Sequence, residues 1–276
     1  MSALMNYPGF RLKALTLSYD DGVVYDKRLI EIMRAHALSG TFNVGNLAEN
    51  PSGRNLKLTL DEARAVYLQD GIELAVHGAR HLTWNQVEPA VATRDIMANR
   101  EHLEKNFGKI VNGCAYPNGG YNDKVVEILK NCGIKYARTV QKTEGFALPT
   151  DWMRLAPTCH HDNPRLMELA DEFLAIEKVK RFWGNRPCLF YLWGHSYEFN
   201  DKDNWSVIER FAEKMSGKDD IWYATNGEIY DYVEAFDRLV FSVDLSYVQN
   251  PTAIDVYINV LGKEIIVPAG KTVEIN

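Results

Sequence analysis

Acidic and imidazole side chains follow several short apolar runs of this 276-residue sequence, at the points where strands would end. Asp20 and Asp21 come directly after the run ALTLS, and five of the seven histidines follow similar runs. Adjacent residues leaving a strand point in different directions, so we expect these two carboxylates to have different roles. The loops after the carboxyl ends of barrel strands meet around one opening, and this placement therefore predicts a single reaction site there.

The spacing of His77 and His81 predicts a shared metal ion, because side chains four residues apart lie on one side of a helical turn. Two imidazoles and one carboxylate leave coordination positions open for water, which is the ligand arrangement of hydrolytic metals. Zinc is the first expectation on ligand type, and cobalt, nickel or iron would fit the same set. Each motif also has a structural interpretation, since the Asp20-Asp21-Gly22 triplet is good turn chemistry.

Two further motifs could take part in the same chemistry. His195 ends the apolar run CLFYLW and is a candidate general acid, although a histidine bonded to a backbone carbonyl is the structural alternative. Residues 115–121 (AYPNGGY) place a proline and two glycines after a strand, and such a tight turn can direct backbone N–H groups at a developing oxyanion. His36 and His102 fall inside predicted helices, which indicates surface or core histidines.

The elements that must position these residues alternate between strands and helices over the first 238 residues. Strands are predicted at residues 14–18, 41–44, 72–76, 111–116, 136–140, 154–158, 188–193 and 221–225. Helices are predicted at residues 89–107, 122–132 and 164–178, and after the capping box formed by Thr59 and Glu62. This alternation indicates a parallel sheet with crossover helices, and seven or eight units favour a barrel over an open sheet.

The pattern changes after Asp237, where period-two strands at residues 241–248, 253–261, 263–267 and 272–275 follow one another without a helix. The predicted organisation is therefore an α/β barrel over residues 1–238 and a small antiparallel β appendage over residues 239–276. The sequence leaves three roles open for the appendage: binding glycan, covering the barrel base, or mediating dimers.

Composition excludes several classes of protein. Hydrophobic residues at 46% and charged residues at 25% are ordinary globular values, which argues against disordered, collagen-like and coiled-coil chains. A net charge of −6 argues against a nucleic-acid or membrane-surface partner, because both require a basic face. The sequence has neither a signal-peptide pattern nor an apolar run of membrane-spanning length. We therefore expect a cytoplasmic protein, or a secreted one if a signal peptide had been removed.

Taken together, the aspartate pair, the H-x-x-x-H motif, the proline-glycine loop and the late histidine resemble the polysaccharide deacetylase family, the NodB-homology carbohydrate esterases. The resemblance extends over roughly residues 10–237. It implies a distorted (β/α)7 barrel and metal-assisted removal of an N- or O-acetyl group from a sugar. By resemblance, Asp21, His77 and His81 would hold one divalent metal ion, Asp20 would be the general base, and His195 the general acid.

The resemblance also assigns substrate contacts to the loop after the fourth barrel strand. Tyr116, Pro117 and Asn118 would contact substrate or the oxyanion, with the backbone N–H near Asn118 as donor, and Trp193 would lie beside the substrate. Four aromatic side chains are candidate faces for stacking a sugar ring, although such residues are also common in cores: Trp84, Trp193, Tyr197 and Trp205.

Two departures from the family pattern leave roles to be filled. The family's loop commonly begins with an arginine that orients the base, whereas this chain has Ala115, and we predict that Arg138 supplies the charge instead. The family's later aspartate, which pairs with the acid histidine, has Asp151 and Asp162 as candidates. The roles of the neighbouring His160 and His161 stay open.

Two other functions remain compatible with the sequence. One is hydrolysis of a small linear or cyclic amide on the same scaffold, which a cytoplasmic location would favour. The other is a catalytically inactive carbohydrate-binding module, although the presence of all five motif residues argues against it. Oligomeric state and the acetylated substrate are not determined by the sequence.

Overall fold

The computed structural model describes residues 3–47, 56–178 and 186–275, and its elements are numbered in chain order. The strands are β1 (Leu4–Asn6), β2 (Lys13–Asp20), β3 (Gly40–Val44), β4 (Ile72–Val76), β5 (Gly113–Ala115), β6 (Tyr136–Arg138), β7 (Cys159–His160), β8 (Cys188–His195), β9 (Ile221–Tyr223), β10 (Val240–Phe241), β11 (Tyr247–Gln249), β12 (Val256–Val260), β13 (Lys263–Val267) and β14 (Thr272–Glu274). The helices are α1 (Asp26–Ala35), α2 (Leu60–Tyr67), α3 (Pro89–Phe107), α4 (Asp123–Asn131), α5 (Leu166–Leu174), α6 (Ser196–Asp201), α7 (Ser206–Met215) and α8 (Asn226–Asp237).

A curled parallel sheet in the order β6-β5-β4-β3-β2-β8-β7 forms the main body, and β9 pairs with the beginning of β2. Every residue of β2 is buried, as expected for a central parallel strand covered on both faces. β9 pairs with residues 13–15 of β2, and β3 pairs with residues 17–20 of the same strand. Two different strands therefore share one edge of β2. This irregular pairing distorts the barrel.

An irregular segment joins the two outermost strands of the sheet. The Leu155 N–H donates to the Ala137 carbonyl at 3.0 Å, and the Thr139 N–H donates to the Leu155 carbonyl at 2.9 Å, which ties the segment to β6. The following β7 pairs with β8. The prediction of a regular strand at residues 154–158 is wrong, because only one bridge forms there. The predicted distorted (β/α)7 barrel is confirmed.

Local sequence signals explain how several helices begin and end. The Thr59 side chain accepts a hydrogen bond from the Glu62 N–H, and the Glu62 carboxylate accepts one from the Thr59 N–H, so the predicted capping box starts α2. α3 has the predicted bounds and ends at Gly108, which has a left-handed φ of 64°. α5 is shorter than the helix predicted at residues 164–178. Among the described residues, no helix has the length and apolarity needed to cross a membrane.

The C-terminal appendage consists of antiparallel strands in the orders β1-β12-β13 and β10-β11-β14. The N-terminal strand β1 therefore belongs to the appendage in space, although the predicted boundary placed residues 1–238 in the barrel. The predicted strand at residues 241–248 is instead two strands, β10 and β11, separated by a turn in which Asp244 accepts hydrogen bonds from Ser242 and Ser246. A two-domain division itself stays a prediction.

The appendage lies at the amino ends of the barrel strands, opposite the end that carries Asp20 and His195. The Tyr232 hydroxyl on α8 donates to the Asn6 carbonyl at 2.6 Å and accepts from the Tyr257 N–H at 2.9 Å, which links α8 to both β1 and β12. Met5 and Tyr232 share an apolar cluster with Ala14, near the start of β2. Of the three roles left open by the sequence, these contacts support covering the barrel base.

Candidate metal and acid-base site

Strand register brings the predicted catalytic residues into one layer at the carboxyl end of the barrel. Asp20 is the last residue of β2 and lies opposite Asn43 of β3 on one side and His195 of β8 on the other. In parallel strands, residues in register on the same face stand side by side. Asp20 is therefore held between two strand neighbours, and its position is fixed by the sheet.

Asp21, His77 and His81 converge on one point, where their ligand atoms lie close together. The Nε2 atoms of the two histidines are 3.1 Å apart, and Asp21 Oδ1 lies 3.6 Å from His77 Nε2 and 3.4 Å from His81 Nε2. Ligand atoms about 2.0–2.1 Å from a tetrahedral zinc ion would be separated by about 3.3–3.4 Å. The donor set and its spacing therefore fit a divalent cation.

The His77–His81 segment is a loop, and the predicted helical turn is wrong. Gly78 (φ 79°) and His81 (φ 55°) both have left-handed backbone conformations, as does Asp21 (φ 82°). Such conformations cost energy in non-glycine residues and concentrate at functional sites. A side chain at Gly78 would also bring a Cβ within 2.6 Å of Asp95 Oδ2. The loop therefore turns back on itself, which directs both imidazoles at Asp21.

Contacts outside the three candidate ligands orient His77. Its Nδ1 lies 3.0 Å from the Ala115 carbonyl, which requires the proton on Nδ1 and leaves the Nε2 lone pair free for a cation. The Asn99 side chain accepts a hydrogen bond from the His77 backbone N–H at 2.9 Å. For His81, burial lowers the imidazole pKa and the neighbouring His77 lowers it further, while nearby aspartates oppose the shift. His81 thus favours the neutral form that binds metals.

Asp20 is buried but remains ionised. Its carboxylate accepts a hydrogen bond from Asn43 Nδ2 at 2.9 Å and another from the Arg138 guanidinium. Burial raises the pKa of Asp20, but the charges of Arg138, His77 and His195 outweigh this effect and lower it to about 2. A carboxylate with this pKa is ionised at neutral pH, which is the protonation state that a base requires.

Arg138 reaches Asp20 from β6, as its predicted role requires, and the orienting role itself stays a prediction. Arg138 is fully buried, and its guanidinium carbon lies 4.2 Å from the centre of the Trp193 ring. Trp193 is only 9% exposed, so its covered ring contacts the arginine and offers little surface to a sugar. The prediction of Trp193 as a substrate contact is therefore replaced by a role in packing Arg138.

His195 faces both aspartates and is held by a residue that the sequence analysis missed. Its Nε2 lies 3.9 Å from Asp20 Oδ2 and 4.0 Å from Asp21 Oδ2, and its Nδ1 lies 2.7 Å from Glu198 Oε1. Burial lowers the pKa of His195, but the Glu198 hydrogen bond and the two aspartates outweigh it, so the net shift is upward. The protonated imidazole that an acid catalyst needs is therefore favoured.

Glu198 takes the position for which Asp151 and Asp162 were candidates, and both of those assignments are wrong. Asp151 instead caps a short turn by accepting a hydrogen bond from the Met153 N–H at 2.9 Å. Asp162 contacts Lys202 and lies near the neighbouring histidines. An H-x-x-E pattern at the start of α6 could have indicated Glu198, since residues three apart on a helix are neighbours.

In the loop at residues 116–118, two side chains are buried and the third, Asn118, is exposed. Tyr116 is buried, and its hydroxyl donates to the Met153 carbonyl at 2.7 Å, so this side chain is not a substrate contact. Pro117 is also buried. Asn118 has a φ of 55°, and its side-chain amide donates to Thr83 Oγ1 at 2.9 Å. The predicted oxyanion donor near Asn118 stays a prediction.

Three of the four aromatic candidates for sugar stacking are buried, Trp193 among them. Trp84 is 1% exposed and donates from Nε1 to Asp95, and Trp205 is 7% exposed and packs against Phe199. The Tyr197 ring lies 5.1 Å from that of His195 and is partly exposed. Tyr197 is therefore the candidate whose position still suits a substrate contact.

The sequence profile described as polysaccharide deacetylase matches residues 9–137, which contain Asp20, Asp21, His77 and His81. A poly-β-1,6-N-acetyl-D-glucosamine N-deacetylase from Staphylococcus epidermidis is 27% identical over 145 residues, which are 48% of this chain and 50% of the relative. The chain thus spans about half the length of that curated relative.

Two solved structures share the fold. A Mycobacterium smegmatis protein assigned to the polysaccharide deacetylases has a TM-score of 0.59 and 16% identity, covering 86% of this chain and 95% of that one. A family 4 carbohydrate esterase from Streptomyces lividans, in complex with acetate, has a TM-score of 0.51 and 15% identity, covering 76% of this chain and 90% of that one. The profile match makes residues 9–137 similar to the polysaccharide deacetylase family, and the two solved structures share the barrel fold.

Proposed function

We propose that this protein is a metal-dependent hydrolase that removes an acetyl group from an N- or O-acetylated sugar or polysaccharide. The observation that carries the proposal is the convergence of three ligand atoms, 3.1–3.6 Å apart, next to an ionised aspartate and an opposing histidine. An activated water, a general base and a general acid are the groups that amide or ester hydrolysis requires.

Asp21, His77 and His81 would hold the metal. When bound, a divalent cation supplies a Lewis acid for the acyl oxygen and lowers the pKa of the attacking water. Zinc remains the first candidate on ligand type, and cobalt, nickel or iron would fit. The three chain ligands leave coordination positions open, which distinguishes this site from a closed structural site.

Asp20 would accept the proton of the attacking water through its carboxylate. Arg138 and Asn43 fix that carboxylate and keep it ionised, so no conformational change is needed before the proton moves. Loss of a positioned base costs about 10²–10⁴-fold in rate.

His195 would donate a proton from Nε2 to the leaving nitrogen or oxygen. Glu198 accepts from Nδ1, which fixes the ring and favours its protonated form. In the net reaction, water is added across the acyl bond, acetate leaves with the new hydroxyl, and the sugar amine or alcohol takes the proton. Without this proton an amine is a poor leaving group.

Release of acetate from defined substrates tests the proposal. The chelator-treated protein would be reloaded with Zn²⁺ or Co²⁺ and assayed on N-acetylglucosamine oligomers with β-1,4 or β-1,6 linkages. The β-1,6 polymer is included because it is the substrate named for the Staphylococcus relative. We expect metal-dependent acetate release that Asp20→Asn lowers by about 10²–10⁴-fold.

The inactive and small-amide alternatives give different results in the same assay. A protein that binds the oligomers without releasing acetate from any of them would contradict the proposed hydrolase. Turnover confined to small linear or cyclic amides would contradict the sugar substrate while leaving the metal chemistry intact.

A further inference from the structure

A second group of imidazoles and carboxylates lies beside the candidate active site. We define the rim cluster as His160, His161, Asp162 and Glu198, whose potential ligand atoms lie within 4.8 Å of one another. His161 Nε2 is 3.4 Å from Glu198 Oε2 and 3.6 Å from Asp162 Oδ1. These separations resemble those at the first site and fit neighbouring ligands of one small cation.

His161 has no hydrogen-bond partner although it is buried. The residue is 1% exposed, and neither Nδ1 nor Nε2 makes a hydrogen bond within the described residues. Its ring is stacked on Phe199 at 4.1 Å, and Gly194 leaves it room, because a Cβ there would lie 2.0 Å from Nδ1. A buried polar atom without a hydrogen bond is unfavourable, and a ligand on Nε2 would satisfy one of these two atoms.

The contacts of His160 place it beside the proposed ligands Asp162 and Glu198. Its Nδ1 accepts a hydrogen bond from the Asp162 N–H at 3.1 Å, so the neutral ring carries its proton on Nε2. That Nε2 lies 3.5 Å from Glu198 Oε1, the oxygen that also contacts His195. His160 and His195 therefore face Oε1, while Oε2 faces His161.

Lys202 places a positive charge beside the carboxylates of the rim cluster. Its ammonium group contacts Asp162 Oδ2 and lies 3.1 Å from Glu198 Oε2. The side chain is 48% exposed, so it can move into solvent without leaving a buried charge. A lysine on a flexible stem is a cation that another cation can displace.

We propose that the rim cluster is a second divalent-cation site, with His161 Nε2, Asp162 Oδ1 and Glu198 Oε2 as its ligands and Lys202 as the cation that balances the carboxylates in its absence. One imidazole and two carboxylates suit Zn²⁺, Fe²⁺ or Mn²⁺. The second site does not depend on the first metal site, because it uses neither Asp21, His77 nor His81, but it shares Glu198 with the candidate general acid His195.

Titration of the chelator-treated full chain with Co²⁺ alone, followed by calorimetry and by the visible absorption spectrum, tests the second site. We expect two ions per chain in the wild type and one in Asp162→Asn. His161→Gln should likewise bind one ion, with its circular dichroism spectrum checked for folding. His36→Gln is the matched control, because His36 lies outside both groups beside Ser216, and it should still bind two ions.

Lys202→Met gives the sharpest result, since it removes the competing charge and keeps the length of the side chain. We expect the second ion to bind about tenfold more tightly or better, because two like charges no longer lie close together. One ion in the wild type, with affinity unchanged in Lys202→Met and Asp162→Asn, would overturn the proposal.

Failure of the proposed function would look different. If the first group did not bind metal, His77→Ala would leave the stoichiometry unchanged and Asp162→Asn would abolish binding altogether. Two ions lost one at a time in His77→Ala and Asp162→Asn would establish separate sites, whatever the enzyme's substrate.

Discussion

Asp20 and Asp26 are two buried aspartates six residues apart, and their surroundings give them opposite protonation. Asp20, at the end of β2, contacts the Arg138 guanidinium and has a pKa of about 2. Asp26, at the start of α1, is held by the hydroxyls of Ser196 and Tyr67. Burial raises the pKa of Asp26 to about 7, since these neutral donors lower it too little to compensate.

The difference shows that the neighbours of a buried aspartate, and not its burial, decide whether it is ionised in this barrel. Removing a carboxylate from water favours its neutral form, and only a nearby opposite charge reverses that preference. One aspartate can therefore serve as a base at neutral pH, while the other is a structural acceptor that is partly protonated.

The largest expected effect is a difference in kcat between variants of the two aspartates. Asp20→Asn should lower kcat for acetate release by about 10²–10⁴-fold, because the base is lost while shape is kept. Asp26→Asn is the matched control and should stay within about threefold of wild type. Steady-state kinetics on metal-loaded protein measures kcat for both variants. Equal losses of kcat would contradict the different roles assigned to Asp20 and Asp26.

Arg138→Met should make Asp20 resemble Asp26. With the guanidinium removed, burial is opposed by fewer charges, so the pKa of Asp20 should rise and kcat should fall by about 10–100-fold. Breaking a buried ion pair typically destabilises a fold by about 3–5 kcal/mol. Urea unfolding and kinetics measure the two effects, and metal binding should persist. Unchanged turnover in a folded variant would contradict the role predicted for Arg138.

Glu198→Gln should lower kcat by about tenfold and change its pH dependence. The carboxylate contributes to the raised pKa of His195, so the alkaline limb of the pH–rate profile should move to lower pH in the variant. Glu209→Gln on α7, which pairs with Arg28 at the surface, is a control with the same change of charge. A profile that shifts equally in both variants would argue against a specific effect on His195.

The smallest effects concern the pH dependence of the free energy of unfolding, to which the two aspartates contribute in opposite directions. The lowered pKa of Asp20 stabilises the fold above about pH 4, and this contribution is lost as pH falls toward 2. The raised pKa of Asp26 gives a contribution that is present below about pH 4 and lost as pH rises through 7. Urea unfolding across this range should show Asp26→Asn losing less stability than wild type between pH 4 and 7.

Much of the candidate site could be predicted because its residues follow strands directly. Asp20, Asp21, His77 and His195 come within one residue of a strand end, and the alternation of strands and helices indicates that those ends share one opening. The capping box of α2 and the bounds of α3 were predictable for a similar reason, since both depend on residues within a few positions of one another.

Contacts between distant segments could not be predicted in the same way. β1 pairs with β12 across about 250 residues, and residues 155–158 connect β6 to β7 as an irregular segment that has no periodic signal. The pairing of Glu198 with His195 depends on the start of α6, and that of Arg138 with Asp20 on the order of strands around the barrel.

The sequence by itself determined the kind of chemistry, because side-chain type and distance from a strand end are local properties of the chain. Only the tertiary structure decided which carboxylate is ionised, which histidine is supported by Glu198, and which aromatic rings are covered. Those outcomes depend on burial and on charges brought together from separate elements, and the free energy of a buried charge is set by all its neighbours at once.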